Sequence, residues 1–471
     1  MSSEDASARE SQTFGFADLF AGIGGFAAVL KAMGGEHAYA VEIDRAASQI
    51  YSLNWQHEAL GDVTKDANDE VMLVPDHAVV AGGFPCQPFS KSGAQRGMDE
   101  VRGTLFFHIE KILRARKPTL VVLENVRNLV GPRHRHEWEV IIDHLRDAGY
   151  QVSSAPAIFS PHKIAPEFGG SPQVRERVFI TATLVPEGHV MDPEPAPVFL
   201  PDHVQMHREW DLLKDLPVDH ASDVPGTEIS ADERAWIDHW EVMVQIMKAW
   251  RKSQSERTGE PLRRVPGFPI WTDAWVSPRE HERQLDGAPA WKADFLRKNF
   301  DLYSALREFM DPRDLSAWLK SVRLFPESRR KLEWQAQDAA SIWDCVISFR
   351  PSGLRVKRPT HLPALVAITQ TPVIGPLGRK LSAREAARLQ GLPDGFSFGN
   401  QRDALTFKQM GNGVNVGVVW NVLKAHVERD KDLLLATEEG QQLYAAISGA
   451  PTDPRPTLAQ MFQGESVSVT A

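Results

Sequence analysis

Cysteine is nearly absent from this sequence of 471 residues, with Cys86 and Cys345 the only two. That count does not make a disulfide framework, and a reducing cytoplasm is the simplest setting. No Cys/His cluster has the spacing of a structural zinc site, so no metal is expected. Long apolar runs are missing too, which argues against a membrane partner. The first residues, Met1 to Ser11, are polar and acidic and read as neither a secretory signal nor a transit peptide. An overall basic balance is also lacking. The net charge of −9 argues mildly against nucleic acid, although the placement of charge matters more than its sum. Placement is uneven, because Cys345 through Arg384 holds no Asp or Glu but contains Arg350, Arg355, Lys357, Arg358, Arg379, Lys380 and Arg384. Most basic runs are solvated loops. One this long in an acidic chain favours a phosphate-facing surface.

The first 183 residues alternate strand and helix patterns. Apolar runs at 14–20, 38–41, 78–81, 119–123 and 178–183 read as strands, with helices at about 25–33, 104–116 and 137–148. Such alternation predicts an α/β fold with a doubly wound, mostly parallel sheet. Ligands of such sheets sit beyond the carboxyl ends of the strands, where Phe20, Glu42, Cys86 and Glu124 fall. The alternation ceases near Pro186. Ten of the thirteen tryptophans lie between Trp210 and Trp343, and Ser230-Ala231-Asp232-Glu233 opens a helix as a capping box. The stripe Trp236, Trp240, Met243, Met247 and Trp250 on that helix reads as a packed face rather than a base-stacking platform. The expected division is a domain at 1–187 completed by 405–449, a second, smaller domain at 188–404, and a disordered tail at 450–471.

Four segments carry chemistry. Asp18-Leu19-Phe20-Ala21-Gly22-Ile23-Gly24-Gly25-Phe26 follows a strand and opens a helix, and Glu42 ends the next strand. The glycines let backbone approach a ligand, and the carboxylate can accept from ribose hydroxyls. A dinucleotide-binding fold fits these residues equally well. Gly83-Phe84-Pro85-Cys86-Gln87-Pro88 presents a thiol on a proline-flanked loop after a strand, as a covalent nucleophile requires. Glu124-Asn125-Val126 puts a carboxyl group at a strand end, where it can pass a proton to a ring nitrogen, although an isolated Glu-Asn pair is more often a cap. In Gln173-Val174-Arg175-Glu176-Arg177, alternation puts Gln173, Arg175 and Arg177 on one face, where guanidinium groups can hold a phosphate or carbonyl.

Together and in this order, these segments resemble the cytosine-5 DNA methyltransferase family. The resemblance covers residues 13–183 and 376–428. It extends to Gly61-Asp62-Val63, to the loop from Ser92-Gly93 to Arg102-Gly103-Thr104-Leu105-Phe106, to Arg384–Gly391 and to Gln409-Met410-Gly411-Asn412-Gly413-Val414. It implies the class I adenosylmethionine-dependent methyltransferase fold, with the second domain serving target recognition.

By the same resemblance, S-adenosyl-L-methionine is the cofactor, and no metal is needed. Asp18, Phe20, Gly22, Ile23, Gly24, Gly25, Glu42, Ile43, Asp62, Val63, Pro85, Leu105, Asn412 and Val414 would form its pocket, with Glu42 on the ribose and Asp62 and Val63 flanking the adenine. A cytosine is flipped out of the duplex. Cys86 would attack C6, Glu124 would engage N3, and Arg177 would contact the base carbonyl with support from Arg175. Gln87, Ser90 and Arg96 would touch DNA, as would Arg355, Lys357 and Arg358 from the basic stretch. The implied partner is double-stranded DNA, in a bacterial cytoplasm at the nucleoid, with a restriction endonuclease as functional counterpart and a monomer as the working state. A tRNA-directed enzyme of the same fold and a non-catalytic DNA-binding regulator are the alternatives. The latter would be expected to have lost Cys86 or Glu124.

Overall fold

The computed structural model describes residues 13–85, 105–221, 223–261, 265–365 and 371–463. It divides into two compact units: Met1–Trp210 with Pro363–Ile368 and Ala386–Ala471, and Asp211–Leu362 with Thr369–Glu385.

The first unit is built on a seven-stranded sheet. Its strands are β1 (Phe14–Leu19), β2 (Gly35–Val41), β3 (Val79–Gly83), β4 (Leu120–Val126), β5 (Tyr150–Val152), β6 (Ala157–Phe159) and β7 (Arg177–Leu184). The order is β2-β1-β3-β4-β7-β5, with β6 also on β7. The first four are parallel, and β7 runs antiparallel to β4, β5 and β6. The central strands are apolar on both faces because helices cover both faces. Ala17, Leu19, Val80, Val121 and Leu123 share one core with Ile109 and Leu113 of helix Leu105–Arg116 and Ile141 and Leu145 of helix Arg135–Asp147. β3 and β4 run further than their apolar runs suggested. Gly83 is the register partner of Glu124, which sits inside β4.

The expected boundaries shift for one physical reason: a segment can lose periodicity without losing its packing. Residues 188–210 are irregular yet pinned to the first unit. Trp210 Nε1 donates to the His162 carbonyl at 2.7 Å and the Asp192 amide to Gln151 Oε1 at 2.9 Å. Ala386 onward likewise belongs to the first unit. The disordered tail is corrected over Pro454–Met461, which is a helix N-capped by Asp453 with Leu458 buried.

The second unit centres on helix Ala231–Thr258, whose capping box of Ser230 and Glu233 forms as expected. Trp240, Met243, Met247 and Trp250 are buried, and Trp236 packs partly buried beside them, so the stripe is a core face. A six-stranded sheet lies in the same unit. Alternation along Lys331–Gln335, Val346–Arg350 and Gly353–Lys357 buries Leu332, Trp334, Ile347, Phe349, Leu354 and Val356, and turns Glu333, Ser348, Arg355 and Lys357 to the other face. The acid-free stretch is not uniformly a surface. Arg379 is 1% exposed and paired with Glu385 at 2.7 Å. Arg355 is paired with Glu333 at 2.6 Å. Burial, followed by the charges of Arg355 and Arg350, holds the Lys357 ammonium below its usual pKa. Among the described residues, no helix is long and apolar enough to cross a membrane.

Candidate active site

The chain leaves β1 through a turn that only particular residues can make. Gly22 and Gly24 have φ of 56° and 93°, and Phe20 adopts φ of 54° despite its side chain, a conformation that stores strain. A Cβ on Gly24 would lie 1.9 Å from Trp55 Nε1, whereas one on Gly22 would meet nothing within 4 Å. The backbone at Gly22 therefore faces open space. Glu42, just beyond β2, closes the turn by accepting from the Gly22 amide at 2.8 Å and the Asp44 amide at 2.7 Å. Asp62 caps the short helix Val63–Asp66, and hydrogen bonds from Thr64 keep its carboxyl below the usual range.

A cavity of about 480 Å³ opens over this turn. Phe20, Gly22, Ile23, Gly25, Glu42, Ile43, Asp62, Val63, Pro85, Leu105, Asn412 and Val414 all line it, together with Glu124 and Arg177. The sequence motifs thus converge on one place from segments as far apart as 20 and 414. Asp18 and Gly24 are the two pocket candidates that do not line the cavity. Asp18 is fully buried, and its Oδ2 accepts from the Tyr51 hydroxyl at 3.2 Å. Burial drives its carboxyl well above the usual range against that hydrogen bond.

Glu124 meets Arg177 at 2.8 Å between Oε1 and Nε, with both side chains mostly buried. Burial raises the Glu124 pKa, and the guanidinium groups of Arg177 and Arg175 offset part of that rise. The neighbouring Asn125 donates to the Phe84 carbonyl at 2.9 Å and accepts from the Val126 amide at 2.8 Å. It fastens the segment leading to Cys86 onto β4, a role the bare motif did not disclose. Cys86, Gln87, Ser90 and Arg96 lie outside the described residues, as does the loop through Thr104.

Burial alternates over Gln173, Val174, Arg175 and Glu176, and the charges of Arg175 and Arg177 both act on Glu124. Gln173 and Arg175 are 0% and 2% exposed, while Arg177 reaches Glu124. The Arg175 guanidinium donates to the carbonyls of Gly411 at 2.9 Å, Gly413 at 2.6 Å and Leu365 at 3.4 Å. Gln390 Nε2 lies 3.4 Å from Gln173 Oε1 and donates to the Met410 carbonyl at 2.9 Å. Arg175 directly, and Gln173 through Gln390, therefore hold the returning chain 410–413.

The sequence reading missed Trp55, Tyr51 and Lys408. Lys408 lines the cavity and pairs with Asp44 at 2.7 Å. None belongs to a short motif, so their signal is spatial. Among the described residues, no three His, Cys, Asp or Glu side chains gather as metal ligands.

The profile of the family "C-5 cytosine-specific DNA methylase" matches residues 14–428. The Type II methyltransferase M.AluI of Cellulosimicrobium cellulans is 46% identical, over 92% of this chain and 96% of that protein. The Type II methyltransferase M.HhaI of Haemophilus parahaemolyticus is 38% identical over 35% of this chain and 47% of its own length. Among solved structures, the S. pombe Dnmt2 methyltransferase aligns with a TM-score of 0.42 at 16% identity, covering 88% of this chain and 98% of that one. With its sheet, its turn and its paired Glu124 and Arg177, the chain belongs to the C-5 cytosine-specific DNA methylase family.

Proposed function

We propose that this DNA cytosine-5 methyltransferase binds S-adenosyl-L-methionine in the cavity over the glycine turn and modifies a cytosine turned out of double-stranded DNA through covalent catalysis by Cys86. One observation carries the reading: the turn with Glu42 and the Glu124–Arg177 pair line the same cavity. Its volume is that of a small-molecule site. Ile43 is 74% exposed and offers apolar surface to a flat ring. Glu42 would hold the ribose and Asp62 the adenine side, with Phe20, Ile23, Val63, Pro85, Leu105, Asn412 and Val414 as walls. Bound there, the cofactor supplies the methyl group that C5 takes up. The protein's own steps are four. The Cys86 thiolate adds to C6. Glu124 engages N3, where a raised pKa lets it carry the proton that makes the ring electrophilic. Arg177 holds the base carbonyl. The Cys86–C6 bond then breaks by β-elimination as a base or water takes the C5 proton. Arg175, engaged with backbone carbonyls, is a positioning residue.

The first unit is the catalytic part in this reading, and the second serves target recognition, with Gln87, Ser90 and Arg96 contributing DNA contacts from the first. The relatives are named Type II methyltransferases, which supports a role in protecting DNA from a cognate restriction endonuclease. The working form proposed is a monomer in the bacterial cytoplasm. The half-buried cations Arg355, Lys357 and Arg358 of the second unit would meet phosphate. Neutralising Arg355, Lys357 and Arg358 together should weaken DNA binding and lower the slope of log affinity against log salt by about 2 to 3. An unchanged slope in a filter-binding titration would remove that face from the interface.

The direct test is bisulfite sequencing of genomic DNA from a host without cytosine methylation that expresses the chain. Protected cytosines within one short recurring sequence are expected. Unprotected DNA with soluble protein would overturn the reading, and modified cytosine in RNA from the same cells would replace it with the tRNA-directed one.

A further inference from the structure

Trp55 belongs to none of the motifs and does not line the cavity, yet it touches the turn that forms the cavity floor. Its indole Nε1 donates to the Ile23 carbonyl at 3.0 Å. The same nitrogen occupies the space that a Cβ on Gly24 would need. The Trp55 ring is in turn held from behind. Phe462 meets it edge-on at 5.4 Å between centroids, Phe396 lies against it at 6.0 Å, and Phe396 and Phe462 meet at 5.8 Å. Phe462 comes from the far end of the chain, directly after helix Pro454–Met461, where the sequence suggested disorder.

That C-terminal segment is anchored along its length. Trp420 Nε1 donates to the Pro451 carbonyl at 3.0 Å, and Lys424 Nζ to the Ser448 carbonyl at 3.2 Å. Pro454 packs so closely on Gly169 that a Cβ there would lie 2.6 Å from its Cγ, and a Cβ on Gly395 would lie 2.6 Å from Phe462 Cβ. Helix Pro454–Met461 also packs on helix Gly25–Ala32, the helix that the turn opens. Two glycines and a strained Phe20 leave the turn few backbone preferences of its own. Its shape depends on what grips it from outside.

We propose that Phe462 and Trp55 are positioning residues for the cofactor. The C-terminal segment clamps Trp55, Trp55 holds the Ile23 carbonyl, and the turn keeps the conformation that faces the cavity. The proposal rests on the reading of that cavity as the adenosylmethionine site. Neither residue touches substrate, so the clamp acts on cofactor affinity and not on the chemical step.

The test uses the full chain with Phe462→Ala, Phe462→Leu and Trp55→Phe. It measures S-adenosylhomocysteine affinity by calorimetry, the KM for adenosylmethionine, kcat at saturating cofactor, and thermal stability. Phe462→Ala and Trp55→Phe should each weaken the cofactor by about tenfold, the size expected of one aromatic contact or one hydrogen bond to a turn. Phe462→Leu should fall between Phe462→Ala and the wild type. KM should rise in step while kcat stays within about twofold, because uniform binding is what is lost. A variant that melts earlier yet binds S-adenosylhomocysteine as the wild type does would overturn the clamp, as would a fall in kcat at unchanged KM. Should Phe462→Ala fail to fold, Trp55→Phe, which keeps one aromatic ring and removes the indole donor with its second ring, gives the same decision. Wild-type protein that binds no S-adenosylhomocysteine would instead overturn the cofactor reading, and the clamp with it.

Discussion

Cys86→Ser protein should transfer methyl groups to DNA at least about 10⁴-fold more slowly than the wild type while binding DNA and S-adenosylhomocysteine within a few-fold of it. The reasoning is chemical. A thiol reaches its anionic form close to neutral pH and is intrinsically nucleophilic, whereas a serine hydroxyl without an activating base is neither. No described side chain replaces that function. A carboxyl group such as Glu124 is a poor nucleophile toward C6, and Cys345 is buried in the second unit with its thiol pushed up to about 12. The adduct itself can be caught. A duplex carrying 5-fluorocytosine has no C5 proton to lose, so the elimination that frees Cys86 stalls and a denaturant-resistant complex should accumulate. Cys86→Ser should form none. Turnover within about 100-fold of wild type, or an adduct in the variant, would sink the covalent mechanism.

Glu124→Gln should lower kcat by about 10²- to 10⁴-fold, the range for a lost proton-transfer group. The amide can still accept from Arg177 and occupies the same volume, so the fold and cofactor affinity should survive. What it cannot do is pass a proton to N3. The pH profile separates these roles. Burial raises the Glu124 pKa above the usual carboxylate value. The protonated form that serves N3 is therefore fully present below that raised pKa and is lost as pH rises through it. Wild-type kcat should show this descending arm on the alkaline side of the ordinary carboxylate range, and Glu124→Gln should lack it. The same arm in the variant would assign the titration to another group and leave Glu124 with an orienting role alone.

Much of the site was legible because its chemistry is local. A positive-φ turn favours glycine at positions 22 and 24, and a carboxylate twenty residues on at a strand end is within reach by topology alone. Residues 173–177 were legible as a segment, but the backbone carbonyls of Gly411 and Gly413 that Arg175 engages were not. The boundaries at 187 and 404 were misplaced because proline and irregularity mark lost periodicity, while packing depends on partners such as His162 and Trp55 elsewhere in the chain.

By itself the sequence determined the family and the alternating α/β order, since these follow from residue types at fixed short spacings. Tertiary structure alone decided that Glu124 is buried against Arg177, that Arg175 spends its guanidinium on backbone carbonyls, and that a C-terminal phenylalanine bears on the tryptophan under the glycine turn. Those are facts about partners far apart along the chain. Desolvation and long-range contact have no signature in local spacing, so they exist only once the chain has closed on itself.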